Sequence, residues 1–115
     1  GGGKNAQIAY GFNRVAGTAY TAVTGQSITV SKTGTYHVYW SGWRSSTSGT
    51  NGTQLYIGNT AYGTANTSFD STYTNIQDIH LTNVPLTQGQ TITVRARSRG
   101  NSYYMYVFNL TIIEA

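Results

Sequence analysis

Short runs in which apolar and polar residues alternate, each closed by a cluster of Gly, Asn or Thr, recur along the whole chain. Alternation at period two marks a strand with one face turned to a core. It predicts strands over residues 7–12, 18–23, 27–30, 35–43, 54–57, 76–81, 91–98 and 103–113. Turn-forming tripeptides separate them: Thr24-Gly25-Gln26, Lys32-Thr33-Gly34, Thr50-Asn51-Gly52, Ile57-Gly58-Asn59 and Gln88-Gly89-Gln90. β-branched and aromatic residues fill the runs, as a pleated, half-buried surface favours. The sole proline, Pro85, falls between two runs, where a missing N–H does no harm. The expected fold is an all-β antiparallel sandwich of about 8–10 strands. It forms a single domain over residues 6–115, without internal repeat or linker. Residues 1–5, opening Gly1-Gly2-Gly3, read as a flexible Gly-rich start, either the end of a stalk or a cloning remnant. The chain is therefore expected to be a fragment whose natural beginning lies elsewhere.

The same alternation assigns faces. In residues 91–98, Ile92, Val94, Ala96 and Ser98 point one way, and Thr91, Thr93, Arg95 and Arg97 the other. In residues 35–43, Tyr36, Val38 and Trp40 share one side, His37, Tyr39, Ser41 and Trp43 the opposite one. The last run is expected to set Tyr104, Tyr106, Phe108, Leu110 and Ile112 against the core. Its other face would carry Tyr103, Met105, Val107 and Asn109, which is unusually apolar for a solvated surface. Two strands thus bear large side chains on both faces. One face fills the sandwich; the other needs a ligand, a neighbouring subunit or both.

Composition narrows the chemistry. Of 115 residues only 9% are charged, seven basic and three acidic, for a net charge of +4. An average soluble domain has about 25%. Thr, Ser, Asn, Gly and ten tyrosines take the place of the missing charges. This composition excludes disorder and long helices. With no cysteine there is neither a disulfide framework nor thiolate chemistry. No apolar run approaches the roughly 20 residues that span a bilayer, and no signal peptide opens the chain. Asp70, Asp78 and Glu114 alone would have to supply any carboxylate pair. No Gly-x-Ser-x-Gly elbow supports a hydrolase triad, so a non-catalytic protein without cofactor is expected. Asp78 and His80, two residues apart, with His37 as a third ligand, would make at most a poor metal site. An outward polar pair is the plainer reading, and no metal is expected. Asn51-Gly52-Thr53, Asn66-Thr67-Ser68 and Asn109-Leu110-Thr111 match the glycosylation pattern, as chance allows in so Thr-rich a chain.

Two groups of side chains invite a binding role. His37, Tyr39 and Trp43, with Tyr103 expected on a comparable face, offer rings that stack on sugar C–H faces. Arg44 stands beside Trp43 and the loop 45–52. The plainer reading places these rings in a subunit interface or second core layer. Arg95, Arg97 and Arg99, at alternate positions, would share one face if their strand runs on to Arg99. Forked guanidinium hydrogen bonds suit an acidic cell-surface polymer, against the plainer reading of a solvated ridge. Nucleic acid is not an expected partner, because the basic residues are few and dispersed.

The order of motifs also resembles a known family. Thr24-Gly25-Gln26-Ser27-Ile28-Thr29-Val30 leads into Thr33-Gly34-Thr35-Tyr36-His37-Val38-Tyr39. Leu86-Thr87-Gln88-Gly89-Gln90-Thr91-Ile92-Thr93-Val94 follows later, and Tyr106-Val107-Phe108-Asn109-Leu110-Thr111-Ile112-Ile113 closes the chain. This series resembles the tumour-necrosis-factor and complement globular-head superfamily, with Gln90 where many heads carry Asp. The resemblance implies a jelly roll assembled as a homotrimer, as in phage tail-fibre tips and bacterial exterior proteins. It implies an extracellular or virion-surface location and an adhesion head that recognises a cell-surface glycan. Two alternatives stand beside it: a structural trimerisation head without a ligand, and a monomeric carbohydrate-binding module of a larger enzyme.

Overall fold

Eight antiparallel strands form two four-stranded sheets in the computed structural model, which describes residues 3–115. The strands are β1 (Ala6–Ala16), β2 (Thr21–Thr29), β3 (Gly34–Arg44), β4 (Gly52–Ile57), β5 (Thr60–Asn66), β6 (Gln77–Leu86), β7 (Thr91–Arg97) and β8 (Tyr104–Glu114). The first sheet has the order β1-β8-β3-β6 and the second β2-β7-β4-β5. No helix occurs among the described residues. The expected β-sandwich is what the chain adopts. Its core holds Tyr36, Val38 and Trp40 from β3, Ile92, Val94 and Ala96 from β7, and Val84 and Leu86 from β6. Trp40 donates its indole N–H to Thr53 Oγ1 at 2.9 Å, and the Tyr36 hydroxyl donates to Lys32 O at 2.6 Å. Both large polar-tipped rings are thereby buried without an unpaired group.

Several element boundaries differ from the expected ones. The predicted strands 18–23 and 27–30 are one strand, β2, and Gly25 at φ +84 is a bulge within it rather than a turn. β5 has no predicted counterpart, because Thr60–Asn66 buries little and so lacks a strong alternation. Pro85 lies inside β6, opposite Thr35, on an edge strand where proline is tolerated. Within the expected flexible start, Gly1 and Gly2 lie outside the described residues. Asn5 is held: its amide donates to Glu114 Oε1 at 2.9 Å, and its side chain to the Tyr36 hydroxyl at 2.9 Å.

The faces of β8 need a correction. Met105 and Val107 are buried, and Tyr104, Tyr106 and Phe108 point outward, the reverse of the expected assignment. Leu110 and Ile112 are buried as expected. The cause is a bulge at Asn109, at φ +58, where the pairing of β8 with β3 shifts by one residue. One extra residue in a strand inverts the alternation beyond it. Buried Gln26 stabilises the distortion: its carbonyl oxygen accepts the Leu110 N–H at 2.9 Å, while its amide reaches Gly11 O at 3.4 Å.

Candidate functional site

The outer face of the first sheet is built in rows, because residues paired across neighbouring strands share a face. One row runs Ile8, Thr111, Tyr39, His80; the next Phe12, Phe108, Ser41, Asp78; the third Arg14, Tyr106, Trp43. The rings in these rows touch. Trp43 and Tyr106 stack at 4.0 Å with planes 3° apart, and Phe12 stacks on Tyr106 at 5.5 Å. Tyr73, from the loop before β6, meets Trp43 edge-on at 6.1 Å. Tyr39 stacks on His80 at 4.4 Å, and His37 meets His80 edge-on at 5.5 Å. Arg14 donates to the Tyr106 hydroxyl and lies 3.9 Å over Tyr104; this hydrogen bond raises its pKa further above the ordinary arginine value.

Tyr106 therefore stacks with both Trp43 and Phe12, and Trp43 has one face covered by Tyr106. A sugar platform needs an open ring face; a packing surface does not. The exposed large apolar side chains among the described residues also cluster here. Ile8, Tyr10, Phe12 and Ile113 belong to β1 and β8, and Tyr73 and Ile76 to the loop before β6. Phe12 is 60% and Tyr73 69% exposed, which leaves a contiguous apolar face in contact with water.

The eight expected site residues divide among three places. His37, Tyr39 and Trp43 share the aromatic face of the first sheet. Arg95 and Arg97 point outward from β7 on the second sheet. The remaining three lie at one end of the sandwich. β7 ends at Arg97, so Arg99 does not continue its register; it projects beside Gly49 and lies 4.8 Å over the Tyr103 ring. Tyr103 precedes β8 and does not join the aromatic face, where Tyr104, Tyr106 and Phe108 take the positions expected for it. Buried Ser98 fixes this turn by donating to Tyr103 O at 2.8 Å and accepting the Gly17 N–H at 3.0 Å. Arg44 ends β3 opposite Met105, away from Trp43, with its amide on Asp70 O at 2.9 Å.

Each arginine of the expected ridge has an aromatic seat: Arg95 lies 4.0 Å over Tyr56 and Arg97 4.8 Å over Tyr20. The sequence pattern singles out neither these partners nor Phe12 and Tyr73 on the first sheet's face; it marks His80 only as a metal candidate and Tyr106 as core. Cross-strand register brings Phe12, Tyr106 and Trp43 together, while Tyr73 reaches them from the loop before β6. Asp78 accepts the Ser41 hydroxyl at 2.5 Å, and His80 is engaged with Tyr39. Among the described residues no three His, Asp or Glu side chains converge, and no enclosed pocket forms. The surfaces available for recognition are open faces. Comparison of the chain with family models, with curated proteins and with solved structures finds no match.

Proposed function

We propose that this domain is a non-catalytic adhesion head of an exterior, fibre-like protein. It assembles with two further copies through the outer face of its first sheet and turns its second sheet outward toward cell-surface carbohydrate. The observation that carries this reading is the stacked aromatic face. It is rich in rings from β1, β8 and β3, meets His80 of β6, and includes only two charged side chains in its paired rows, Arg14 and Asp78. A surface of this kind gains most by packing against another like it. The strand order β1-β8-β3-β6 against β2-β7-β4-β5 supports the jelly-roll expectation, and the motif resemblance supports three-fold assembly. Three linked copies of a weak carbohydrate site would raise avidity without any new contact.

Phe12 provides the test, since it is mostly exposed in the single chain and its replacement leaves the core intact. In size-exclusion chromatography with light scattering, the wild-type chain is expected at three times its 12.4 kDa mass, and Phe12→Glu at the single-chain mass with unchanged circular dichroism. A wild-type monomer at all concentrations would remove the assembly reading and leave a lone carbohydrate-binding module. A trimer that binds no carbohydrate would leave a structural head, a reading favoured by the stacking of Trp43 on Tyr106.

A further inference from the structure

We infer that the outward face of the second sheet, resting on the head reading above, is a binding surface for an acidic carbohydrate chain held by Arg95 and Arg97. Alternate residues on a strand stand about 6.7 Å apart on one face, so the two guanidinium groups form a short, regularly spaced pair. β7 is an inner strand, flanked by β2 and β4, which makes this a platform and not an edge. Each guanidinium is seated by a ring below it, Tyr56 under Arg95 and Tyr20 under Arg97. Stacking holds one face of the planar group and leaves N–H donors at its rim, the geometry that suits a carboxylate, phosphate or sulfate.

The seat of Arg97 is built by an absent side chain. Gly52 pairs with Arg97 across β4 and β7, and a Cβ there would collide with the Tyr20 hydroxyl. Glycine at this position lets the Tyr20 ring reach across the sheet to lie beneath Arg97. Polar groups on this face are also under-answered by protein. Tyr20 Oη, Arg95 Nε and Arg97 Nε are all buried without a hydrogen-bond partner, and Arg95 has only Asn59 Oδ1 at 3.3 Å. Buried polar atoms are rarely left so; three of the six among the described residues lie at this pair of arginines, the others being His37 Nδ1, Arg44 Nε and Asn51 Oδ1 elsewhere.

No carboxylate answers the two charges. The only ion pair among the described residues joins Lys32 to Glu114. Asp78 and Glu114 belong to strands of the first sheet, and Asp70 precedes β6, hydrogen-bonded by Asn75 and Gln77. The two guanidinium groups are thus free to take an external anion. The neighbours favour a sugar acid over a nucleic acid. Gln54 pairs with Arg95, and Ser27 and Thr93 pair in the next row on the same face, offering hydroxyl and amide groups. Tyr20 and Tyr56 each have one ring face taken by a guanidinium group, which leaves less ring surface on which a base could stack.

Isothermal titration of the assembled protein with alginate, dextran sulfate, neutral dextran and a single-stranded oligonucleotide tests this assignment. Binding to alginate or dextran sulfate, weakening with salt, and none to neutral dextran is expected. The better of the two polyanions identifies the anionic group as carboxylate or sulfate-like. Arg95→Gln and Arg97→Gln should each lose about tenfold in affinity, and Arg97→Lys should not recover it, because lysine lacks the fork. Equal binding of dextran, tighter binding of the oligonucleotide, or unchanged affinity in both Gln variants would overturn the inference. Light scattering on the same samples separates the two ideas. A trimer without polyanion binding refutes only this surface, whereas a monomer refutes the head.

Discussion

Gln26 is fully buried although its sequence context, after Thr24 and Gly25, reads as a turn. Its role emerges only from the fold, where it fills the hydrogen-bonding need that two neighbouring bulges create in β1 and β8. Replacing it by Leu would keep the bulk and strand the Leu110 N–H in the core. Gln26→Leu is therefore expected to cost about 1–3 kcal/mol in chemical denaturation, and a stability equal to wild type would contradict this role. Glu114 acts at the same scale. The Asn5 N–H at 2.9 Å and then the Lys32 ammonium at 3.1 Å hold its carboxyl below the ordinary carboxylate range. A lowered folded value contributes stability above that range and loses it as pH falls through the folded value. Glu114→Gln should melt below wild type at neutral pH, with the difference closing below about pH 4. A pH-independent difference would point to packing instead of charge.

All four edge strands are interrupted by a bulge: Gly11 in β1, Gly25 in β2, Gly63 in β5 and Asn83 in β6 each lie at a register shift and have positive φ. Bulged edges twist away from strand-to-strand pairing, which directs association to sheet faces. Asn83 and Asn109 are the non-glycine members of the positive-φ set, and asparagine tolerates that conformation better than most residues. Asn109→Gly should fold with near wild-type stability, while Asn109→Val should cost about 1–3 kcal/mol by thermal denaturation. Equal effects of the two would show that backbone strain at 109 is unimportant. Bulges also decide how much of each element could be read from sequence. β3 and β7 carry no bulge of their own, and their faces follow from alternation alone. In β8 the same reasoning inverts the half before Asn109, since nothing in the pattern marks where a residue is left over. β2 was divided for the same reason, Gly25 signalling a turn as readily as a bulge.

At the scale of the molecule, the two sheets present different chemistry to solvent. The first shows stacked rings and aliphatic side chains; the second shows arginines seated on tyrosines among hydroxyls and amides. The sequence disclosed that aromatics lay on an outward face of β3, because His37, Tyr39 and Trp43 alternate within one strand. It could not disclose that Tyr106 would stack on Trp43 and Phe12 on Tyr106, since those contacts depend on the order and register of separate strands. That stacking is why we propose the aromatic face as an assembly surface and the opposite sheet as the recognition surface. Hydroxyl-radical footprinting of the wild-type protein tests this division directly, because the rings themselves report their exposure. Phe12 and Tyr73, open in the single chain, should be protected at high protein concentration, while Tyr20 and Tyr56 remain as reactive as in the dilute state. Oxidation of Phe12 and Tyr73 at the rate of fully exposed rings at every concentration would contradict the account.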